Sequence, residues 1–242
     1  MARRGSSFEQ ILNKYFPGTK VGAERPADRA SIDGISLSNV SLQSDTVSKR
    51  LTLSSEHFRV NYPVRLPGAS VDAVLRTLEA ARLDMLARAG AAGLKLPDTV
   101  EVLIHATTQD FVAATGQSAW AAAVTHGRRI ELQPLPVLER RGISRSTLRH
   151  EYAHAVMEAN GGTDIPRWLA EGLAIAFAGE GRMYARFRRD ARLPIEDLER
   201  RLHHQSSAAE MRSLYAASYF ETMDLIRKEG EPATWRRIGK RI

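Results

Sequence analysis

The chain has 242 residues, 43% of them hydrophobic, enough for one sizeable core with a short appendage beside it. It contains no cysteine, so disulfides, thiolate metal sites and a cysteine nucleophile are excluded, and any metal must sit on His, Asp or Glu. The formal charge of +7 comes mostly from arginine, and no apolar run approaches the roughly 20 residues of a transmembrane segment.

Met1-Ala-Arg-Arg has no apolar stretch behind it and does not read as a secretory leader. Residues 8–16 predict a short amphipathic helix with Phe8, Ile11, Leu12 and Tyr15 on one stripe, stopped by Pro17-Gly18. Residues 25–55 are rich in Gly, Ser, Ala and charge, with weak alternation at Ile32, Ile35, Leu37, Val40 and Leu42, and read as a linker or an edge hairpin. The main domain is expected over 56–242. Residues 58–62 alternate as a half-buried strand, 71–89 repeat at helical spacing up to Gly90, 100–104 form a second strand, and 110–114 are helical. Residues 121–124 and 129–132 flank Thr125-His126-Gly127-Arg128, which reads as a hairpin turn. Beyond Pro134 and Pro136 the signals are helical over 147–158, 166–178, 195–201 and 214–228, with Asn160-Gly161-Gly162, Gly179 and Gly230 as stops. The pattern is α+β, a sheet-containing N-terminal part followed by a helical C-terminal part. The arginines cluster at Arg182, Arg186, Arg188, Arg189, Arg192, Arg200 and Arg201; without a nucleic-acid motif or an aromatic platform they read as a solvated helix face, and no nucleic-acid partner is expected.

His150-Glu151-Tyr152-Ala153-His154 lies on the 147–158 helix. Residues i and i+4 are about 40° apart around such a helix, so both imidazoles leave one face and can grip one ion. Glu151, next to the first ligand, is placed to take a proton from a metal-bound water. A catalytic zinc needs a third protein ligand while its fourth position stays open. Glu171, in Pro166-Arg-Trp-Leu-Ala-Glu-Gly-Leu-Ala, is the candidate: the Asn-Gly-Gly turn lets its helix return antiparallel to the first. Its neighbours Trp168, Leu169, Leu173, Ala174, Ile175 and Phe177 make an uncompensated carboxylate costly there, and a metal offsets that cost. One zinc ion per chain is expected. His57, His105, His126, His203 and His204 lack ligand-like spacing and read as surface or core histidines, His126 being the one beside the strand before the metal helix.

Residues 148–156 followed by 166–174 resemble the bacterial peptidase MA-like gluzincins, zinc metallopeptidases whose second motif reads Trp-Leu-x-Glu-Gly-Leu/Ala. Sixteen residues separate His154 from Glu171, similar to that family. The resemblance runs from about His57 to the C-terminus. It implies a zincin-like fold with zinc on His150, His154 and Glu171 and the general base at Glu151. It also implies an edge strand before the zinc helix, at Arg129, Ile130, Glu131 and Leu132, where an extended peptide substrate pairs. Tyr215-Ala-Ala-Ser218 is similar to a Tyr-x-x-Ser pattern of the same family, which implies that Tyr215 donates a hydrogen bond to the oxyanion. Tyr219, one turn on, shares its face, and plain core packing is the alternative for either ring. Residues 1–24 resemble the C-terminal tail of stage II sporulation protein D (amidase-enhancer) domains, which suggests a cell-envelope context and cell-wall polymer as a partner.

Two functions from different classes are therefore expected: a zinc-dependent peptidase acting on a peptide or protein, or a non-catalytic zinc-containing envelope or peptidoglycan-binding module. Intact Glu151 favours the first, because a purely structural zinc site needs no base.

Overall fold

The computed structural model describes residues 41–45, 49–161, 165–187, 193–204 and 207–239. The helix expected over 8–16, the whole segment 1–24, residues 25–40 and the arginines Arg188, Arg189 and Arg192 lie outside the described residues.

Among the described residues six strands form one mixed sheet: β1 (Ser41–Asp45), β2 (Arg50–Ser54), β3 (Phe58–Pro63), β4 (Val100–Ile104), β5 (Ala123–His126) and β6 (Arg129–Leu132), in the order β1-β2-β3-β4-β6-β5. β3, β4 and β6 run parallel, while β1, β2 and β5 pair antiparallel to their neighbours. The period-2 alternation gives the sheet one apolar face, with Phe58, Val60, Tyr62, Val100, Val102, Ile104, Ile130 and Leu132 all buried. On the opposite face Arg59, Glu101 and Arg129 lie side by side in register and exposed, so their charges alternate across the strands.

The α-helices of the described residues are α1 (Gly68–Ala92), α2 (Thr108–Thr115), α3 (Leu135–Arg140), α4 (Ser144–Ala159), α5 (Arg167–Ala178), α6 (Gly181–Tyr184), α7 (Ile195–Leu202), α8 (Ala208–Glu229) and α9 (Glu231–Arg236). The architecture is thus α+β, as the sequence pattern predicts. α1 buries Val71, Val74, Leu75, Leu78, Ala81, Met85 and Ala89 at three- and four-residue spacing. It runs through Gly90 and ends at Gly93, the residue whose φ of 71° supplies the left-handed cap. α1 packs on α4, α4 on α5 and on β5, and α5 on α8; one apolar core takes residues from Phe58 to Ile238. Among the described residues no helix is long and apolar enough to cross a membrane.

Two expectations change here. The turn contracts to Gly127-Arg128, with Gly127 at a φ of 61°, so Thr125 and His126 belong to β5 and not to the turn. Arg129–Leu132 is not an edge strand: β6 pairs with β4 on one side and β5 on the other. The tight hairpin lays β5 along the outside of β6, and β5 becomes the edge. The backbone groups of Arg129, Ile130, Glu131 and Leu132 are therefore occupied on both sides, and the substrate-docking role expected for these four residues is corrected.

Candidate metal centre

α4 carries the first three residues of the site. Its apolar positions Leu148, Tyr152, Ala155 and Val156 are buried, and the Tyr152 ring meets Phe58 of β3 edge-on at 5.5 Å. Asn160 ends the helix and ties it down. Its amide donates to the carbonyls of Val156 (2.8 Å) and Lys95 (2.7 Å) and accepts the Lys95 N–H (2.9 Å), fastening α4 to the loop after α1.

α5 supplies the fourth. It begins at Pro166, whose fixed φ suits a helix start, and the free N–H groups of Arg167 and Trp168 donate to the Glu199 carboxylate of α7 at 2.8 and 3.0 Å. Glu171 follows one turn later. Gly172 lets α8 approach: a Cβ there would fall 2.0 Å from Thr222 Oγ1 and 2.4 Å from the Ser218 carbonyl oxygen.

The ligand atoms converge. His150 Nε2 and His154 Nε2 are 3.1 Å apart, and Glu171 Oε2 lies 3.4 Å from the first and 3.5 Å from the second. Bonds of about 2.0–2.1 Å to a tetrahedral zinc would set neighbouring ligand atoms about 3.3 Å apart, so this triangle already has the dimensions of one face of that tetrahedron. Two imidazoles and a carboxylate are also the borderline donor set that zinc takes when thiolates are absent. Among the described residues no other group of three His, Asp or Glu side chains converges in this way.

Around the triangle stand four residues that the sequence reading did not place in the site. Glu180 Oε2 lies 3.1 Å from His150 Nδ1, which lets that nitrogen donate its proton and leaves the Nε2 lone pair as the one that could bind a metal. Glu180 reaches back because Gly179, at a φ of 77°, ends α5 in a left-handed turn. Arg167 Nε is 3.7 Å from Glu171 Oε1, the oxygen turned away from the histidines. Thr125 of β5 donates from Oγ1 to Glu151 Oε2 at 2.7 Å and lies 3.1 Å from the Glu151 carbonyl oxygen. Tyr184 is the fourth; burial, then Glu180 and Glu171, push its hydroxyl pKa upward.

Electrostatics follow from the crowding. Burial would lower the His150 pKa, but Glu180 and Glu171, with a smaller push from Glu151, outweigh it and hold the imidazole well above its ordinary 6.5. Burial would likewise raise the Glu171 carboxyl, and the two imidazoles overcome it, holding it far below the ordinary carboxylate range. Tyr215 is raised well above an ordinary phenol, first by burial and then by Glu171, with Arg167 opposing; Glu151 adds a smaller upward push. The Tyr215 hydroxyl thus lies within the field of both site carboxylates and stays protonated as a hydrogen-bond donor. Tyr219 takes another place, packed over Gly181 and edge-on to Phe220 at 5.3 Å.

The remaining expected residues are accounted for elsewhere. Glu131 pairs with His105 at 2.7 Å and with Arg129 at 3.1 Å. His57 pairs with Glu79 at 3.0 Å, and His203 with Glu199 at 3.0 Å. His126 is exposed at the end of β5. Of the arginine cluster, Arg200 pairs with Asp197 at 2.5 Å and Arg201 with Glu210 at 2.7 Å, as a solvated face does. No protein-family model matches the chain, and neither a curated protein nor a solved structure matches it significantly, so the site's own geometry carries the functional reading.

Proposed function

We propose that this protein is a zinc-dependent peptidase of the gluzincin type, built on a zincin-like arrangement of a mixed sheet above the metal helix. The observation that carries the reading is the convergence of His150, His154 and Glu171 with Glu151 beside them, buried but not itself a ligand. Zinc held by those three side chains would supply a Lewis acid and lower the pKa of a water molecule toward about 7. Glu151 accepts the proton of the attacking water and passes it to the leaving amine. Tyr215 donates to the oxyanion from a hydroxyl that its surroundings keep protonated. Glu180 holds His150 in the ligating tautomer. Among the described residues the sheet edge beside α4 is that of β5, so an extended peptide pairs with Ala123–His126 in place of the strand the sequence suggested.

Glu151→Gln tests the assignment. The variant keeps its shape and its zinc but cannot accept a proton at neutral pH, so hydrolysis of any peptide cut by the wild type falls by about 10²- to 10⁴-fold. Metal analysis and steady-state kinetics on both proteins decide it. Equal cleavage rates end the hydrolysis reading. Zinc binding without cleavage of a broad peptide library by either protein, with binding to wall polymer, gives the function to the non-catalytic module.

A further inference from the structure

Glu151 is a long, flexible side chain, and nothing on its own helix fixes which of its oxygens faces the metal. Its partner comes from a distant part of the sequence. Thr125 Oγ1 lies 2.7 Å from Oε2, and both residues are buried, at 8% exposure each. A threonine that needed only to satisfy its own hydroxyl has the Glu151 carbonyl oxygen available at 3.1 Å; the shorter contact is to the carboxylate. A hydroxyl donating to a carboxylate makes a charge-assisted bond, the stronger kind. Donation to Oε2 leaves Oε1 as the oxygen free to accept a proton.

From this geometry we infer that Thr125 is a positioning residue: its hydroxyl locks the Glu151 carboxylate in one orientation so that Oε1 is presented to the attacking water. The inference rests on the peptidase reading. It also ties base and substrate together, because Thr125 belongs to β5, the strand whose outer edge no other strand pairs among the described residues. A peptide pairing with that edge pairs with the strand that holds the base, so backbone docking and base orientation share one support. Misplacing a reacting group by about 1 Å costs on the order of 10²-fold in rate, and rotation of an untethered carboxylate moves its oxygens that far.

Thr125→Val and Thr125→Ser separate the hydroxyl from the shape. Valine fills the same space without a donor, and serine keeps the donor while losing a methyl group. In the zinc-loaded full chain, Thr125→Val is expected to lower kcat by roughly 10- to 100-fold with KM within about twofold, and Thr125→Ser to recover to within about fivefold of wild type. Zinc stoichiometry should stay at the wild-type value in both. A valine variant with wild-type kcat, or a serine variant as slow as valine, overturns the inference.

A second measurement needs no catalysis. In a double-mutant cycle of Thr125→Val and Glu151→Ala on the apoprotein, followed by urea unfolding, the unfolding equilibrium constant of the double variant should depart from the product of the single effects by about threefold or more, because each single change removes one partner of the bond. Additive effects overturn the proposed tie. If the wild-type protein cleaves no peptide the hydrolysis reading fails by itself, and the cycle still decides whether Thr125 holds Glu151.

Discussion

Glu180 braces the candidate metal centre without belonging to the converging triad. Its carboxylate takes the outer nitrogen of His150, and that single contact selects the tautomer, orients the ring and raises the basicity of Nε2. Glu180→Gln retains an acceptor oxygen but loses the negative charge, so it should weaken zinc binding by about 10- to 100-fold without unfolding the chain. Competition against a chromophoric chelator measures the change. Wild-type affinity in the variant would mean that His150 is oriented by its packing alone.

At the scale of elements, the site depends on how closely two helices meet. α5 and α8 touch at Gly172, where no side chain fits, and that approach brings Tyr215 toward Glu171. Gly172→Ala must push the helices apart or distort α5. The expected loss is about 1–3 kcal/mol or more in urea unfolding, with a fall in zinc affinity because Glu171 is the adjacent residue. A variant as stable as wild type, with unchanged zinc affinity, would show that α8 yields freely.

Much of this was legible in the sequence. α1, α4, α5 and α8 carry long apolar periodicity, and the His150-Glu151-His154 spacing with a returning helix points to the three side chains that converge, His150, His154 and Glu171. What was not legible depends on non-local geometry. Neither the alternation of Arg129–Leu132 nor its turn says on which side the preceding strand lies, so β6 read as an edge although it is interior. Thr125, a β-branched residue beside a glycine turn, reads as part of that turn, and only the strand pairing shows its hydroxyl reaching Glu151. Glu180 sits just past a helix stop, and only the left-handed φ of Gly179 sends it back.

Across the whole molecule, the charge cluster makes stability and metal loading respond to pH in opposite directions. The His150 pKa is raised above 6.5, so its protonated form stabilises the apoprotein fully below about pH 6.5, and this contribution is lost as pH climbs toward the raised value. Glu171 is held down from 4.5, so its contribution is present above about pH 4.5 and disappears only as pH falls through the depressed value. Zinc must displace the His150 proton, so loading releases protons and strengthens with pH. Thermal melts with and without chelator should therefore show an apoprotein Tm that falls above pH 6.5 while the increment given by zinc grows. An apoprotein Tm that is flat over that interval would show that the imidazolium is not stabilised by its carboxylates.

The four groups that would hold or brace a zinc ion, His150, His154, Glu171 and Glu180, all come from one helical hairpin and the turn that ends it, whereas the bond that would aim the proposed base comes from β5, the outermost strand beside α4. The two capacities therefore have different weak points. Fraying of an outermost strand is among the least costly openings a protein makes, and here it would cut Glu151 loose while the chelating hairpin stayed shut. On the proposed function, a preparation that has lost its chemistry this way would still show a full complement of zinc, so metal content would report the integrity of the hairpin and not catalytic competence.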